Sequence, residues 1–244
     1  MPEQGSLDNV SIVLVNTKAP ANIGSVARCM MNAGLSRLIL VRPPRDMYDE
    51  AMKLAAGAGT VLIQAARFET LREAVADHHL VIGTSRHLAR HRRNVRAPRE
   101  TAERIVPLLV RNRIALVFGR EVNGLEKEDL SLCHELIAIP SSEAFPSLNL
   151  SHAVMVIAYE LFLAAHAGLP ADERALARSD EIERFFGHLQ AALRHIGFLD
   201  DDNAEHMMFS LRQLFGRARL EPRDVNILRG ILSAVANTPK RKDG

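Results

Sequence analysis

Four polar segments carry the side chains on which chemistry could be built: Asn16–Arg28, Gly83–Arg86, Gly119–Leu125 and Ser141–Ser151. Asn22, Glu121 and Asn149 offer amide and carboxylate hydrogen bonding, Ser147 a hydroxyl, and Arg28 a permanent positive charge. That set suits positioning and charge stabilisation better than covalent catalysis, because Ser25, Ser85 and Ser147 have no His–Asp pattern near them. No glycine-rich dinucleotide fingerprint or phosphate-binding loop follows any apolar run. His87 and His91 have the i, i+4 spacing of a metal pair but no neighbouring carboxylate, so they read as part of a solvated basic loop and no metal is expected. That loop, Arg86 to Arg99, contains six arginines (Arg86, Arg90, Arg92, Arg93, Arg96 and Arg99) and no acid. A local polycation of this kind fits contact with a nucleic-acid backbone.

The elements that must position these segments follow from hydrophobic periodicity. Short runs at Ser11–Val15, Leu38–Val41, Leu80–Gly83, Ile114–Phe118 and Leu136–Ile139 are apolar on successive residues, the pattern of strands covered on both faces. Helical patterns at Asn22–Ala33, Glu69–Asp77 and Pro98–Val110 lie between them. This α/β alternation predicts a mostly parallel sheet with the polar segments at the C-terminal ends of its strands, where such sheets bind ligands. From Ala153 to Ala165 only Glu160 is charged, which predicts a helix covered all round and favours a homodimer. The division expected is a catalytic domain over 1–165, a linker over 166–179 and a small all-α domain over 180–244. In the last of these, Asp180 and Glu183 have capping-box spacing, and three apolar stripes start at Ile182, Met207 and Val225.

The chain has 244 residues, is 47% hydrophobic and 25% charged, and carries a net charge of +2, which excludes disordered, collagen-like and disulfide-stapled classes. Cys29 and Cys133 lie far apart without a CxxC spacing and read as core thiols of a reducing compartment. No apolar run reaches the roughly 18 residues of a membrane span, and the start lacks a basic, then apolar, leader, so a cytoplasmic protein with no membrane partner is expected. With no Trp and two Tyr, the composition favours phosphate contacts over base stacking in any RNA complex.

Asn22 through Arg28, then Gly119-Arg120-Glu121 with Gly124-Leu125, then Ser147-Leu148-Asn149-Leu150-Ser151 resemble the three signature motifs of the SPOUT (SpoU-type) RNA ribose 2′-O-methyltransferases. Phe185–Leu189, Ile196–Phe198, Leu214–Ala218 and Asn226–Leu232 are similar to the helical extension of a subgroup that methylates cytidine or uridine on the 5′ side of the tRNA anticodon loop. The resemblance implies a deep trefoil knot at the C-terminal side of the sheet and a bent S-adenosylmethionine molecule held by Thr84, Ser85, Arg86, Gly119, Ile139, Pro146, Ser147 and Leu148. It implies that Arg28 acts in catalysis from a partner subunit, with Asn22, Glu121, Ser147 and Asn149 around it, and that Glu121 fixes either Arg28 or a backbone turn. It further implies that tRNA is the partner, with Arg86, Arg90, Arg92, Arg93 and Arg96 on its backbone. Residue chemistry alone also allows Asn22 as a helix cap, Gly124 as a turn glycine and Ser151 as a helix-start residue. The resemblance leaves one reading from another class, a non-catalytic RNA-binding protein on the same scaffold. Phe145-Pro146 departs from the tyrosine or serine common before the third motif.

Overall fold

Continuous apolar runs become strands with both faces buried. The computed structural model describes residues 7–85 and 95–237. Strand β1 (Val10–Val15) is buried at every position; Val10, Ile12 and Leu14 face one core, Val13 and Val15 the other. Strands β2 (Arg37–Val41), β3 (Ala66–Phe68), β4 (Leu80–Thr84), β5 (Val95–Arg96), β6 (Ile114–Phe118) and β7 (Glu135–Ile137) complete a seven-stranded sheet in the order β3-β2-β1-β6-β4-β7-β5. Every pairing is parallel.

Helices α1 (Pro20–Asn32), α2 (Tyr48–Ala55), α3 (Gly59–Ile63), α5 (Pro98–Ile105) and α7 (Leu150–His166) contribute to the larger core, with Ile23, Leu62, Ile105 and Val154 buried in it. Helix α4 (Leu71–Val75), and residues before and after α6 (Lys127–Ser131), close the other face. A methyl group added at Gly24 would meet the Ala51 carbonyl oxygen at 2.1 Å, so glycine there sets the close approach of α1 to α2.

Helices α8 (Ser179–His195), α9 (Ala204–Gly216) and α10 (Pro222–Ala236) share a separate apolar cluster. Phe185, Phe186 and Phe215 are at its centre, with Phe185 edge-on to Phe215 at 5.1 Å. Three contacts dock the cluster on the sheet. Gly216 passes so close to the His134 carbonyl that a Cβ would approach it to 2.7 Å. Arg212 pairs with Glu183, which also takes Arg72. Arg219 reaches Glu135, the first residue of β7.

Several expectations are refined. Helix α1 starts at Pro20, two residues before Asn22, because proline suits a first turn, so Asn22 lies inside the helix and does not cap it. The capping contact of α8 runs from the Arg178 amide to Glu181, and Glu183 is drawn instead to two arginines. Segment 167–178 has no regular structure but is strapped to the body: Asn112 donates to the Arg174 carbonyl (2.8 Å) and accepts from Leu176 N (2.9 Å). Helix α7 is not covered all round in the single chain; Tyr159, Phe162 and Leu163 are exposed on its outer side. Cys133 is a buried free thiol and Cys29 a half-buried one. Among the described residues no helix is long and apolar enough to cross a membrane, and no cluster of metal-ligating side chains occurs.

Candidate active site

The loops after β4, β6 and β7 meet at the C-terminal end of the sheet around a cavity of about 200 Å³. Phe118, Leu125, Ile137, Ile139 and Leu148 give it apolar walls, and Thr84, Ser85, Glu121 and Ser147 stand among them. Of the expected cofactor set, Thr84, Ser85, Gly119, Ile139, Pro146, Ser147 and Leu148 line this one space. Arg86 lies outside the described residues, as do Arg90, Arg92 and Arg93.

Local geometry explains why these residues reach the cavity. Thr84 spends its hydroxyl on the Val117 carbonyl (3.1 Å), and Ser85 N donates to Ile137 O (2.9 Å), which ties the end of β4 to both neighbours. After β6 the chain makes a tight loop in which Arg120 and Gly124 exchange two backbone hydrogen bonds. Gly124 has φ +68°, and a Cβ on Gly119 would meet the Gly124 carbonyl carbon at 2.1 Å, so no side chain fits at Gly119. This loop aims Glu121 at the start of α1.

There the three polar segments join. Asn149 caps α7: its side-chain oxygen accepts from both Ser151 N and Ser151 Oγ at 2.8 Å. That acceptance fixes the amide orientation, so Asn149 Nδ2 must donate, and it donates to Asn22 Oδ1 at 3.1 Å. Asn22 in turn donates to Glu121 Oε1 at 3.1 Å. Glu121 also accepts from Ala19 N (3.2 Å) and Lys18 N (3.3 Å). The result is one polarised chain, Ser151 to Asn149 to Asn22 to Glu121, that ends on a carboxylate. Burial would raise the Glu121 pKa, but the Asn22 and backbone hydrogen bonds outweigh it and hold it below the usual range. Glu121 thus fixes the backbone before α1 and Asn22, and makes no hydrogen bond to Arg28 in this chain.

Arg28 is exposed on α1 and makes no hydrogen bond or ion pair among the described residues. It does not line the cavity of its own chain. Arg96 is half-buried and paired: its guanidinium contacts Glu135 (3.3 Å) and Glu100 (2.8 Å), and Arg104 and Arg219 crowd the same buried Glu135. Arg99 pairs with Glu160 of α7. Both described arginines of the basic run therefore have acidic partners that lie elsewhere in the fold. Phe118 and Ile137 also line the cavity without having been expected there, and Asn123 and Leu125 line it from within the second polar segment; Phe118 ends the strand before that segment, so its position carried a signal.

Residues 9–159 match the SpoU rRNA Methylase family, and residues 180–244 match the C-terminal domain of tRNA methyltransferase TrmJ. The chain belongs to the SpoU methylase family. Among its relatives, the tRNA (cytidine/uridine/adenosine-2′-O-)-methyltransferase TrmJ of Pseudomonas aeruginosa is 42% identical over 243 residues, covering 93% of each chain. The crystal structure of TrmJ from Z. mobilis is similar, with a TM-score of 0.80 and 33% identity over 92% of this chain and 98% of that one. A more distant similarity is to the AdoMet-bound rRNA methyltransferase of Sinorhizobium meliloti, at 26% identity and a TM-score of 0.52 over 66% of this chain and 57% of the other.

Proposed function

We propose that this chain methylates the ribose 2′-hydroxyl of a pyrimidine nucleotide in tRNA, on the 5′ side of the anticodon loop, with S-adenosylmethionine as methyl donor. The observation that carries the reading is the hydrogen-bonded chain from Ser151 to Glu121, which brings three sequence-distant motifs to one edge of one cavity. Near-full-length similarity to TrmJ enzymes supports tRNA as the substrate.

The cavity suits the donor. Apolar walls at Ile137, Ile139 and Leu148 match an adenine ring, the missing side chain at Gly119 lets a ligand approach the backbone closely, and an ionised Glu121 complements positive charge. When bound, the donor supplies an electrophilic methyl group on a sulfonium. The chain's own residues then have to place the 2′-hydroxyl in line with that methyl and exclude competing water. Transfer would form the C–O bond as the methyl–sulfur bond breaks to leave a neutral thioether, and the 2′-hydroxyl proton would pass to a substrate phosphate oxygen or to solvent. Arg28 is too weak a base for that proton, and its task is to orient the ribose and stabilise the developing negative oxygen. Asn22 and Asn149 hold the rim that receives the ribose, and Ser147 lies at the transfer site.

Arg28 serves the cavity of a second copy. The exposed Tyr159, Phe162 and Leu163 on α7 and Met31 on α1 form the apolar face that a homodimer would bury. The last segment of the catalytic domain, with the apolar helix after Leu148 as its tail, is assigned to a trefoil knot, residues 180–244 to a helical domain that helps dimerise and grip tRNA, and the enzyme to the cytoplasm. Mass spectrometry of tRNA nucleosides and fragments after incubation with and without S-adenosylmethionine tests the proposal. A donor-dependent 2′-O-methylpyrimidine in an anticodon-loop fragment is expected; no methylated nucleoside would refute it.

A further inference from the structure

The two most exposed large apolar side chains among the described residues stand next in sequence to residues that line the same cavity. Phe145 is 79% exposed and Val122 is 76% exposed. Phe145 immediately precedes the lining residues Pro146 and Ser147, and Val122 lies between the lining residues Glu121 and Asn123. Neither exposure comes from a loose end. Phe145 sits on a turn closed by Phe145 N to Ser142 O (3.1 Å) and Ser141 Oγ to Pro146 O (3.1 Å). Val122 sits on the Arg120–Gly124 loop, whose Glu121 is anchored by three donors. Two rigid loops thus hold apolar groups in water beside the place where a ribose must dock, an arrangement with a cost that a partner has to offset.

We propose that Phe145 stacks on the base of the nucleotide being methylated, with Val122 closing the opposite side of the cleft; this rests on the reading of the cavity given above. A ribose cannot enter the cavity without its base, and an unstacked base needs a flat apolar surface. A phenyl ring supplies that surface without reading hydrogen-bonding edges, so cytosine and uracil are accepted alike. The low aromatic content of the chain makes this single ring the more telling: the described aromatic rings of the helical cluster are packed against one another.

The chain has no tryptophan, so Phe145→Trp gives one reporter at the site. Its emission is expected to be quenched when tRNA binds, and the quenching is expected to disappear with a tRNA that is abasic at the methylated nucleotide. Phe145→Ala should lower kcat/KM for tRNA about 5- to 100-fold, equally for transcripts with C or U at that nucleotide, with the KM for S-adenosylmethionine unchanged. Phe145→Tyr and Phe145→Trp should restore most of the loss, Phe145→Leu only part. Unchanged kcat/KM in Phe145→Ala, or unaltered tryptophan emission with bound tRNA, would overturn the proposal. So would a loss that follows a weaker self-association in sedimentation, which would assign Phe145 to contact with a second copy. Calorimetry separates the underlying reading: wild-type protein that fails to bind S-adenosylmethionine would strike the cofactor assignment, while base-dependent quenching would still support stacking.

Discussion

Replacing Glu121 by alanine removes the acceptor of three hydrogen bonds at once and releases the start of α1 from the loop after β6. Bonds to an ionised acceptor are worth about 1.5–3 kcal/mol each when buried. These are long, at 3.1 to 3.3 Å, and the carboxylate is only half-buried, so water replaces much of each one. A total of about 2 kcal/mol is therefore expected for Glu121→Ala. Glu121→Gln is more informative. A glutamine oxygen in the place of Oε1 keeps Ala19 N and Asn22, whereas its amide nitrogen would face the Lys18 N–H, donor against donor. One contact of three is lost, and about 1 kcal/mol is expected. Urea titrations read both values. The depressed pKa adds a pH signature: the wild-type contribution is complete above the unfolded carboxylate range and is lost as the pH falls through the lower folded value. Glu121→Gln should lose that acid-limb component. Equal urea midpoints for wild type and Glu121→Ala, or a larger loss for glutamine than for alanine, would refute the reasoning. Methyl transfer should fall in the same order, because Asn22 loses its anchor.

Three further outcomes are expected. Gly119→Ala places a methyl group 2.1 Å from the Gly124 carbonyl carbon, so the loop must open at a cost of about 1–3 kcal/mol, and calorimetry should show weakened S-adenosylmethionine binding. His78 is buried and His134 half-buried with Val81 N donating to its Nδ1, and desolvation lowers both pKa values to about 4, so their contribution is complete above about pH 6.5 and declines as the pH falls toward 4; denaturation at pH 7 and pH 5 should differ by roughly 2 kcal/mol per histidine, and by that much less in His78→Asn. Tyr159→Glu combined with Phe162→Glu puts charge on the apolar outer side of α7, and sedimentation should show a shift from dimer to monomer with loss of methyl transfer, since Arg28 would no longer reach a neighbouring cavity.

Where an element's own residues carry the whole signal, its sequence was enough. Strand β1 is buried on both faces, so a run whose only polar residue is Ser11 reveals it without a partner. The three-residue β3 and two-residue β5 carry no such run and became strands only because Val41 and Ile137 offered a free edge to pair with. The start of α1 could be read from Pro20, but not the fact that Asn22 then points across to Glu121, a partner 99 residues away. The same holds for the basic run. Its composition signals affinity for phosphate, yet whether an arginine is available depends on which carboxylates the fold brings beside it, and Arg96 and Arg99 meet Glu135 and Glu160.

The α/β alternation, the helical C-terminal quarter and the three motifs are legible in the residues alone, since periodicity and residue type are local properties. The folded chain alone shows that Asn149 is both a helix cap and a link to Asn22, that Glu121 anchors backbone instead of Arg28, and that the loops after β4, β6 and β7 line one cavity. Each of those facts is a distance between residues far apart in the chain, and such distances exist only once the sheet has set the order of its strands.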